Sequence, residues 1–211
     1  MLAILHHRLT GIDPSGRAPS WKPSPNHNAD IAPRFLMFHY TRCSAETALH
    51  LLTAGDRPNP VSAHLLVDRD GSITQMVPFN RRAWHAGKSS WAGLEDLNSH
   101  AIGVEVVNEG FLLPNDDGSF ACPSGNQLDA ARAAEVVRAW HKLPEVPYRH
   151  WDAYTPAQLQ ACEELAALLV SAYHLADIIG HDDVAPFRKE DPGPAFPLAA
   201  IRAQALQGMR P

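Results

Sequence analysis

The sequence has few cysteines, no excess of positive charge and no long apolar run, and each absence excludes a class of protein. Its three cysteines, Cys43, Cys122 and Cys162, are odd in number and far apart, which fits neither a disulfide framework nor a zinc knuckle. Lysine and arginine number 18 against 23 aspartates and glutamates, so we expect no nucleic-acid partner. No apolar run approaches the roughly 20 residues of a membrane-spanning helix, so we expect no membrane partner.

The first residues lack the features of a secretory signal peptide. Only a short apolar stretch precedes His6 and His7, and no small-residue cleavage site follows. Unpaired thiols also suit a reducing compartment. We therefore expect a protein made for the cytoplasm, or one that leaves it without a cleaved signal.

What the sequence does contain describes one ordinary globular domain. Its 211 residues, 45% hydrophobic and 19% charged, are enough for one sizeable core and few for two. Prolines crowd residues 13–33, so we predict an irregular proline-rich arm over residues 1–33 and a single domain over residues 34–211. Strand-like and helix-like segments alternate within that domain, which predicts an α/β fold.

Strands are predicted where apolar residues run together or alternate. The run "RFLMFHYT" contains His39 and is typical of a strand that is covered on both faces. A hairpin is predicted around the turn at residues 70–71, where aspartate precedes glycine. In the strand "AIGVEVVN", Glu105 should point to the face opposite its apolar neighbours.

Three helices are predicted from capping residues and apolar spacing. The first follows Ser44 as N-cap and stops at Gly55. The second covers residues 128–143, where apolar side chains recur at helical spacing. The third opens with a capping box at Thr155, and a short strand then leads to His181.

Three side chains that can bind a metal ion stand where an apolar strand meets a loop. His39 and His181 each end a strand-like run, and Asp191 lies in the turn "EDPGP". Two imidazoles and one carboxylate form a usual catalytic zinc set, which leaves one position open for water or substrate. A single histidine at a strand end is more often structural, a loop aspartate more often caps or is solvated, and Cys43 stays an alternative ligand.

Two charged residues are candidates for catalysis. A carboxylate inside an apolar strand costs free energy unless it is paired or solvated. Glu105 is therefore either a solvent-facing strand residue or a general base that activates water at a metal. Lys189, on a polar loop, is either a solvated charge or, beside a metal, a group that stabilises a negative oxygen.

The stretch "RAWHAGKSSWAG" places aromatic rings among glycines. Trp84 and His85 in such a loop commonly bind flat, partly apolar faces such as sugar rings. The alternative is that Trp84 fills the core and that His85 satisfies a backbone group.

Four of these stretches occur together in one order: "FLMFHYT", "VSAHLLVDRDGSITQMVP", "RAWHAGKSSWAGLEDLNSHAIGVEVVN" and "GHDDVAPFRKEDPGPAF". In order and character they resemble the zinc-dependent N-acetylmuramoyl-L-alanine amidases, peptidoglycan amidases related to the peptidoglycan recognition proteins and to a phage-type lysozyme-amidase. The resemblance covers roughly residues 34–110 and 155–200. It implies a central mixed β-sheet flanked by helices, with a zinc cleft at one edge of the sheet.

The resemblance also implies roles for the candidate residues. The implied zinc ligands are His39, His181 and Asp191. The implied catalytic residues are Glu105, which matches the family's catalytic glutamate, and Lys189, which matches its oxyanion-stabilising lysine.

The implied reaction is zinc-dependent hydrolysis of the amide between N-acetylmuramic acid and L-alanine, in peptidoglycan or in muropeptides. His85 and Asn98 lie where the family lines its substrate cleft, and Trp84 is predicted to bind substrate beside them. If the substrate is intact cell wall, the protein must reach it by a route that needs no signal peptide.

Two alternatives remain within the family. A non-catalytic peptidoglycan-binding module on the same fold is the first, although such proteins typically lose a ligand or the acidic base, and all are present here. The second concerns the segment of about residues 111–154, which is longer than the family usually has. That segment either walls the cleft or covers other surface.

Overall fold

A six-stranded mixed sheet forms the centre of the computed structural model, which describes residues 1–207. In spatial order its strands are β16 (Asp177–Gly180), β5 (Phe35–Tyr40), β11 (Ala101–Val106), β6 (Leu65–Val67), β7 (Ile73–Gln75) and β3 (Ser20–Trp21). The first four are parallel, β6 and β7 are antiparallel, and β3 is parallel to β7. The carboxyl ends of β16, β5 and β11 therefore lie side by side, where open α/β sheets commonly bind ligands.

Ten strands of the described residues lie outside the central sheet. They are β1 (Leu2–Leu5), β2 (Arg8–Gly11), β4 (His27–Asp30), β8 (Arg81–Ala83), β9 (Ser90–Trp91), β10 (Leu94–Glu95), β12 (Phe111–Pro114), β13 (Phe120–Ala121), β14 (Val137–Arg138) and β15 (His150–Trp151). Three pairs are antiparallel: β1 with β2, β4 with β8 and β9 with β10. The remaining four form a small sheet in the order β13-β12-β15-β14.

Helices cover both faces of the central sheet. They are α1 (Ala45–Thr53), α2 (Ala130–Ala134), α3 (Pro156–Tyr173), α4 (His181–Val184) and α5 (Leu198–Gln207), and Leu97–Ser99 forms a 3-10 turn. The main core lies between α3, α5 and the face of the sheet that carries Phe38 and Val104. His39 and Glu105 follow these residues directly, so they point to the other face, as predicted for Glu105. The α/β architecture with a central mixed sheet and flanking helices is thereby confirmed.

The predicted irregular arm over residues 1–33 is wrong in part, because four short strands occupy 14 of these residues. The hairpin of β1 and β2 buries Leu2 and Leu9 in the main core, and β3 forms an edge of the central sheet. Each of the five prolines of this range lies outside these strands. A proline restricts only its own backbone and that of the residue before it, so short strands fit between them.

Two predicted helices are confirmed and one is wrong. Helix α1 begins after Ser44, whose side chain accepts from the Thr47 N–H, and α3 has the predicted capping box at Thr155. Of residues 128–143, only α2 is helical, and β14 follows three residues later. Val137 and Arg138 pair with β15 instead of continuing the helix. A β-branched valine suits a strand, and tertiary contacts override a weak helical spacing. Within residues 1–207, no helix is long and apolar enough to cross a membrane.

The buried His64 links the stability of this fold to pH. Its Nε2 donates to the carbonyl oxygen of Arg81 at 2.9 Å, and its Nδ1 accepts from the N–H of Gly103 at 3.0 Å, so the ring is neutral. Burial lowers the pKa of His64 from 6.5 to about 4. The unfolded chain binds a proton below pH 6.5 that the folded chain does not bind. This contribution to the free energy of unfolding is therefore complete above pH 6.5 and is lost as the pH falls towards 4.

We expect the His64→Gln variant to lose less stability than the wild type on acidification. Glutamine can donate to the Arg81 carbonyl but does not titrate, so up to about 1.4 kcal/mol per pH unit of the slope disappears. Urea unfolding at neutral pH and at about pH 5 measures the slope. His50→Gln, at an exposed position of α1, is the control, and equal slopes for wild type and His64→Gln would contradict the prediction.

Candidate metal centre

Three side chains converge where two neighbouring strands of the central sheet end. His39 lies on β5, His181 directly follows β16, and Asp191 lies in the loop after α4. The distance between the two Nδ1 atoms is 2.9 Å, and each lies 3.0 Å from Asp191 Oδ2. All three residues are buried. Cys43, the alternative ligand suggested by the sequence, is not part of this group.

The chemistry of this donor set fits a divalent metal ion. Three electron-rich atoms about 3 Å apart repel one another unless a proton or a cation lies between them. Burial and the neighbouring His181 lower the pKa of His39 to about 4, so His39 is neutral at neutral pH. Although burial opposes ionisation, the two histidines hold the pKa of Asp191 well below its usual range. A triangle of this size lets one ion lie about 2 Å from all three atoms, the usual zinc–ligand distance.

Hydrogen bonds behind the two histidines fix the orientation of their rings. His181 Nε2 donates to the carbonyl oxygen of Ala86 at 3.0 Å, and His39 Nε2 lies 3.0 Å from His85 Nδ1. With the proton on Nε2, each ring presents Nδ1 to the shared point. Gly103 makes room for this arrangement, because a Cβ at that position would lie 2.5 Å from the His85 ring.

A cleft of about 340 Å³ opens beside the three side chains, and Glu105 and Lys189 both line it. Glu105 pairs in register with His39 on the adjacent strand, and its Oε2 is buried without a hydrogen-bond partner among residues 1–207. Burial and the negative charge of Asp191 raise the pKa of Glu105 to about 8, although Lys189 acts in the opposite direction. A carboxyl group beside the cleft thus titrates near neutrality, as a general acid or base requires.

The three residues expected to contact a substrate occupy different places. Trp84 lines the cleft, and its indole Nε1 is buried without a partner in the described part of the chain. His85 also reaches the cleft but is mostly buried behind His39. Contrary to expectation, Asn98 is buried behind the wall, where its amide oxygen accepts from the N–H groups of His85 (2.8 Å) and Ala86 (2.7 Å). Asn98 therefore shapes the turn that carries His85.

The segment of residues 111–154 supports the candidate centre from behind and contributes no residue to the lining of the cleft. His141 Nε2 lies 3.1 Å from the Asp182 carboxylate and 3.1 Å from the carbonyl oxygen of Glu190. Asp182 directly follows the candidate ligand His181, and Glu190 directly precedes the candidate ligand Asp191. The segment thus holds the chain beside both His181 and Asp191. This role differs from the two alternatives that the sequence suggests, a wall of the cleft or a cover for other surface.

Two further cations fix the same loop, and local sequence patterns do not reveal either. Lys142 Nζ donates to Asp182 at 2.9 Å and to Asp183 at 2.5 Å. Arg188 Nη2 donates to the carbonyl oxygen of Ala86 at 2.8 Å. Their partners lie 40 to 102 residues away in sequence, so no local pattern predicts these contacts. The many charged residues of the loop are the one feature of the sequence that points to them.

Comparison with known proteins gives matches to one family of enzymes. The family described as N-acetylmuramoyl-L-alanine amidase matches residues 29–194. The N-acetylmuramoyl-L-alanine amidase AmiD of Escherichia coli (strain K12) is 31% identical over 182 residues, 82% of this chain and 53% of AmiD. The 1,6-anhydro-N-acetylmuramyl-L-alanine amidase AmpD of the same strain is 35% identical over 144 residues, 67% of this chain and 57% of AmpD. The chain thus spans little more than half the length of these curated relatives.

Solved structures of similar proteins share the fold. The crystal structure of a selenomethionine derivative of AmpD has a TM-score of 0.60 at 29% identity, over 92% of this chain and 99% of that one. The complex of E. coli AmiD with anhydro-N-acetylmuramic acid-L-Ala-D-gamma-Glu-L-Lys has a TM-score of 0.60 at 27% identity, over 96% of this chain and 65% of that one.

Proposed function

This chain belongs to the N-acetylmuramoyl-L-alanine amidase family, and on that basis we propose that it hydrolyses the amide between N-acetylmuramic acid and L-alanine in peptidoglycan or muropeptides, with zinc as its metal. The observation that carries the proposal is the convergence of His39, His181 and Asp191 beside a cleft that Glu105 and Lys189 also line. The names of the similar AmiD and AmpD proteins support the same bond and the same class of substrate.

Zinc would be held by Nδ1 of His39, Nδ1 of His181 and a carboxylate oxygen of Asp191. Two neutral imidazoles and one carboxylate are a usual catalytic zinc set, and the cleft leaves the remaining side open. When bound, the ion supplies a Lewis acid for the attacked carbonyl and acidifies water. The hydrogen bonds of His181 to Ala86 and of His39 to His85 keep the ligand rings in place.

Glu105 takes the proton of the attacking water and later passes it to the amine of L-alanine as the amide bond breaks. Its pKa of about 8 lies near neutrality, which suits a group that must accept and then donate a proton. Its Oε2 is buried without a partner in residues 1–207, so no hydrogen bond to this oxygen offsets the burial that raises its pKa. The Lys189 ammonium stabilises the negative charge that develops on the carbonyl oxygen.

Substrate binding involves the wall of the cleft that carries the tryptophan. The face of Trp84 suits a sugar ring, whereas its indole N–H is buried and closed to the substrate. His85 reaches the cleft from behind His39, and Asn98 acts through the turn that it holds.

Incubation with two substrates, intact sacculi and soluble anhydro-muropeptides, tests the proposal. Mass spectrometry should detect free stem peptides that begin at L-alanine, lost when a chelator is added and restored by zinc. Stem peptides released from sacculi would indicate action on intact wall, and stem peptides released from anhydro-muropeptides would indicate action on recycled fragments. If neither substrate is cut while the protein still sediments with sacculi, the non-catalytic binding module is correct and the proposal is wrong.

A further inference from the structure

Arg42 stands at the rim of the cleft in an uncommon backbone conformation. Its φ is +54°, in the left-handed region that long side chains rarely adopt. Its N–H donates to the carbonyl oxygen of Asn108 at 2.9 Å, which helps to hold this conformation. Strained residues of this kind persist where the surrounding structure over-determines them, and they concentrate at functional sites.

The guanidinium of Arg42 is held on several sides. Its Nη2 donates to the Tyr40 hydroxyl at 3.0 Å and to the Glu190 carboxylate, and its carbon lies 4.8 Å from the centre of the Phe111 ring. Its Nε is buried without a hydrogen-bond partner in the described residues. The group is therefore oriented by the protein. A ligand in the cleft would meet its terminal N–H groups, because the buried Nε is closed to it.

Arg42 is the part of the cleft that an anionic ligand would meet. The side chain is 37% exposed and lines the same cleft as Lys189 and Arg188. Three carboxylates, Glu105, Glu190 and Asp191, line it as well, so the exposed guanidinium and its geometry, rather than a net positive charge, favour an anion here. The planar fork of an arginine matches the two oxygens of a carboxylate, which a lysine cannot do.

The proposed substrate carries such a carboxylate close to the bond that is cut. The peptide bound to E. coli AmiD contains an L-Ala-D-gamma-Glu unit. In a γ-linked glutamate the side-chain carboxyl forms the peptide bond, so the α-carboxylate stays free. One alanine separates it from the scissile amide, a span of about 3.6 Å per residue, and Arg42 lines the same cleft as His39.

We propose that Arg42 binds the free α-carboxylate of the γ-linked glutamate, so that the enzyme prefers stem peptides with this carboxylate over peptides in which it is amidated. The inference rests on the proposed function, because it concerns the same cleft and the same bond. The competing account is that Arg42 only holds Glu190, and thereby the metal loop, in place.

Two synthetic substrates separate these accounts: N-acetylmuramoyl-L-Ala-D-γ-Glu and its α-amide. We expect the wild type to show a kcat/KM at least about tenfold higher for the acid, mainly through KM, as for a hydrogen bond to a charged group. In Arg42→Asn, the ratio of the two kcat/KM values should fall to near one. Asparagine tolerates the left-handed conformation, and Arg42→Lys, which keeps the charge without the fork, should give an intermediate ratio.

The controls distinguish failure of this inference from failure of the proposed function. Arg17→Asn removes an equal charge from an exposed pair with Asp70 and should leave the ratio unchanged. Glu190→Gln weakens the ion pair but keeps the arginine, so the preference for the acid should remain. Equal cleavage of both substrates by the wild type, or a uniform loss on both in Arg42→Asn, overturns the inference alone. No cleavage of either substrate by the wild type overturns both.

Discussion

Replacing Glu105 with glutamine should lower kcat by about 10²- to 10⁴-fold, the usual contribution of general acid–base catalysis, while the zinc content stays at the wild-type level. Glutamine keeps the size of the side chain but cannot take a proton from water. Zinc binding should persist because Glu105 lies outside the group formed by His39, His181 and Asp191. Muropeptide hydrolysis rates and metal analysis of the same preparation measure the two quantities.

A second buried glutamate provides the matched control for this variant. Glu109 lies outside the cleft lining, where its carboxylate accepts from Ser124 and Asn126. Glu109→Gln should retain most of the turnover, since it removes a buried carboxylate without touching the reacting groups. Undiminished turnover in Glu105→Gln would contradict its role as base, and loss of zinc together with turnover would show that the residue supports the metal.

The Asp191→Asn substitution should lower the affinity for zinc by more than about 100-fold. Removing a residue that only hydrogen-bonds to a metal ligand costs up to about 100-fold in affinity, and removing a ligand should cost more. Asparagine leaves two neutral imidazoles without the negative charge that compensates the ion. Turnover should follow zinc occupancy, so part of it should return when zinc is in large excess. Competition with a chromophoric chelator measures the affinity, and a zinc titration of the hydrolysis rate measures the recovery.

The control for this loss is another aspartate that precedes the same loop. Asp177, at the start of β16, pairs with Arg202 and lies at the end of the strand remote from His181. Asp177→Asn should change stability slightly and leave zinc affinity intact. An Asp191→Asn variant that binds zinc as tightly as the wild type would exclude the aspartate as a ligand.

The parts of the fold that depend on local chemistry could be predicted from the sequence. The apolar run before His39 and the strand before His181 predict two buried strands, and parallel strands bring their carboxyl ends together. Alternation along β11 places Glu105 on the face of His39. The capping box at Thr155 predicts the start of α3 because its two hydrogen bonds are local.

The parts that depend on distant partners could not be predicted. Residues 128–143 have an apolar spacing that suits a helix, but only Ala130–Ala134 is helical, and Val137–Arg138 pairs with β15 instead. The contact of His141 with Asp182 spans 41 positions of the sequence and leaves no periodic pattern. The resemblance places Asn98 in the cleft, yet its amide oxygen accepts from backbone N–H groups behind the cleft wall. These contacts depend on the packing of the loop and leave no pattern in the sequence.

The separation of the candidate ligands along the chain has a consequence for unfolding. His39 lies 142 residues from His181 and 152 from Asp191. An ion bound to all three would act as a cross-link that closes a loop over most of the protein, and such long closures remove the most chain entropy from the unfolded state. Its binding free energy would add to the free energy of unfolding, because the unfolded chain has no such site. A chelator would then act on this protein as a mild denaturant as well as an inhibitor.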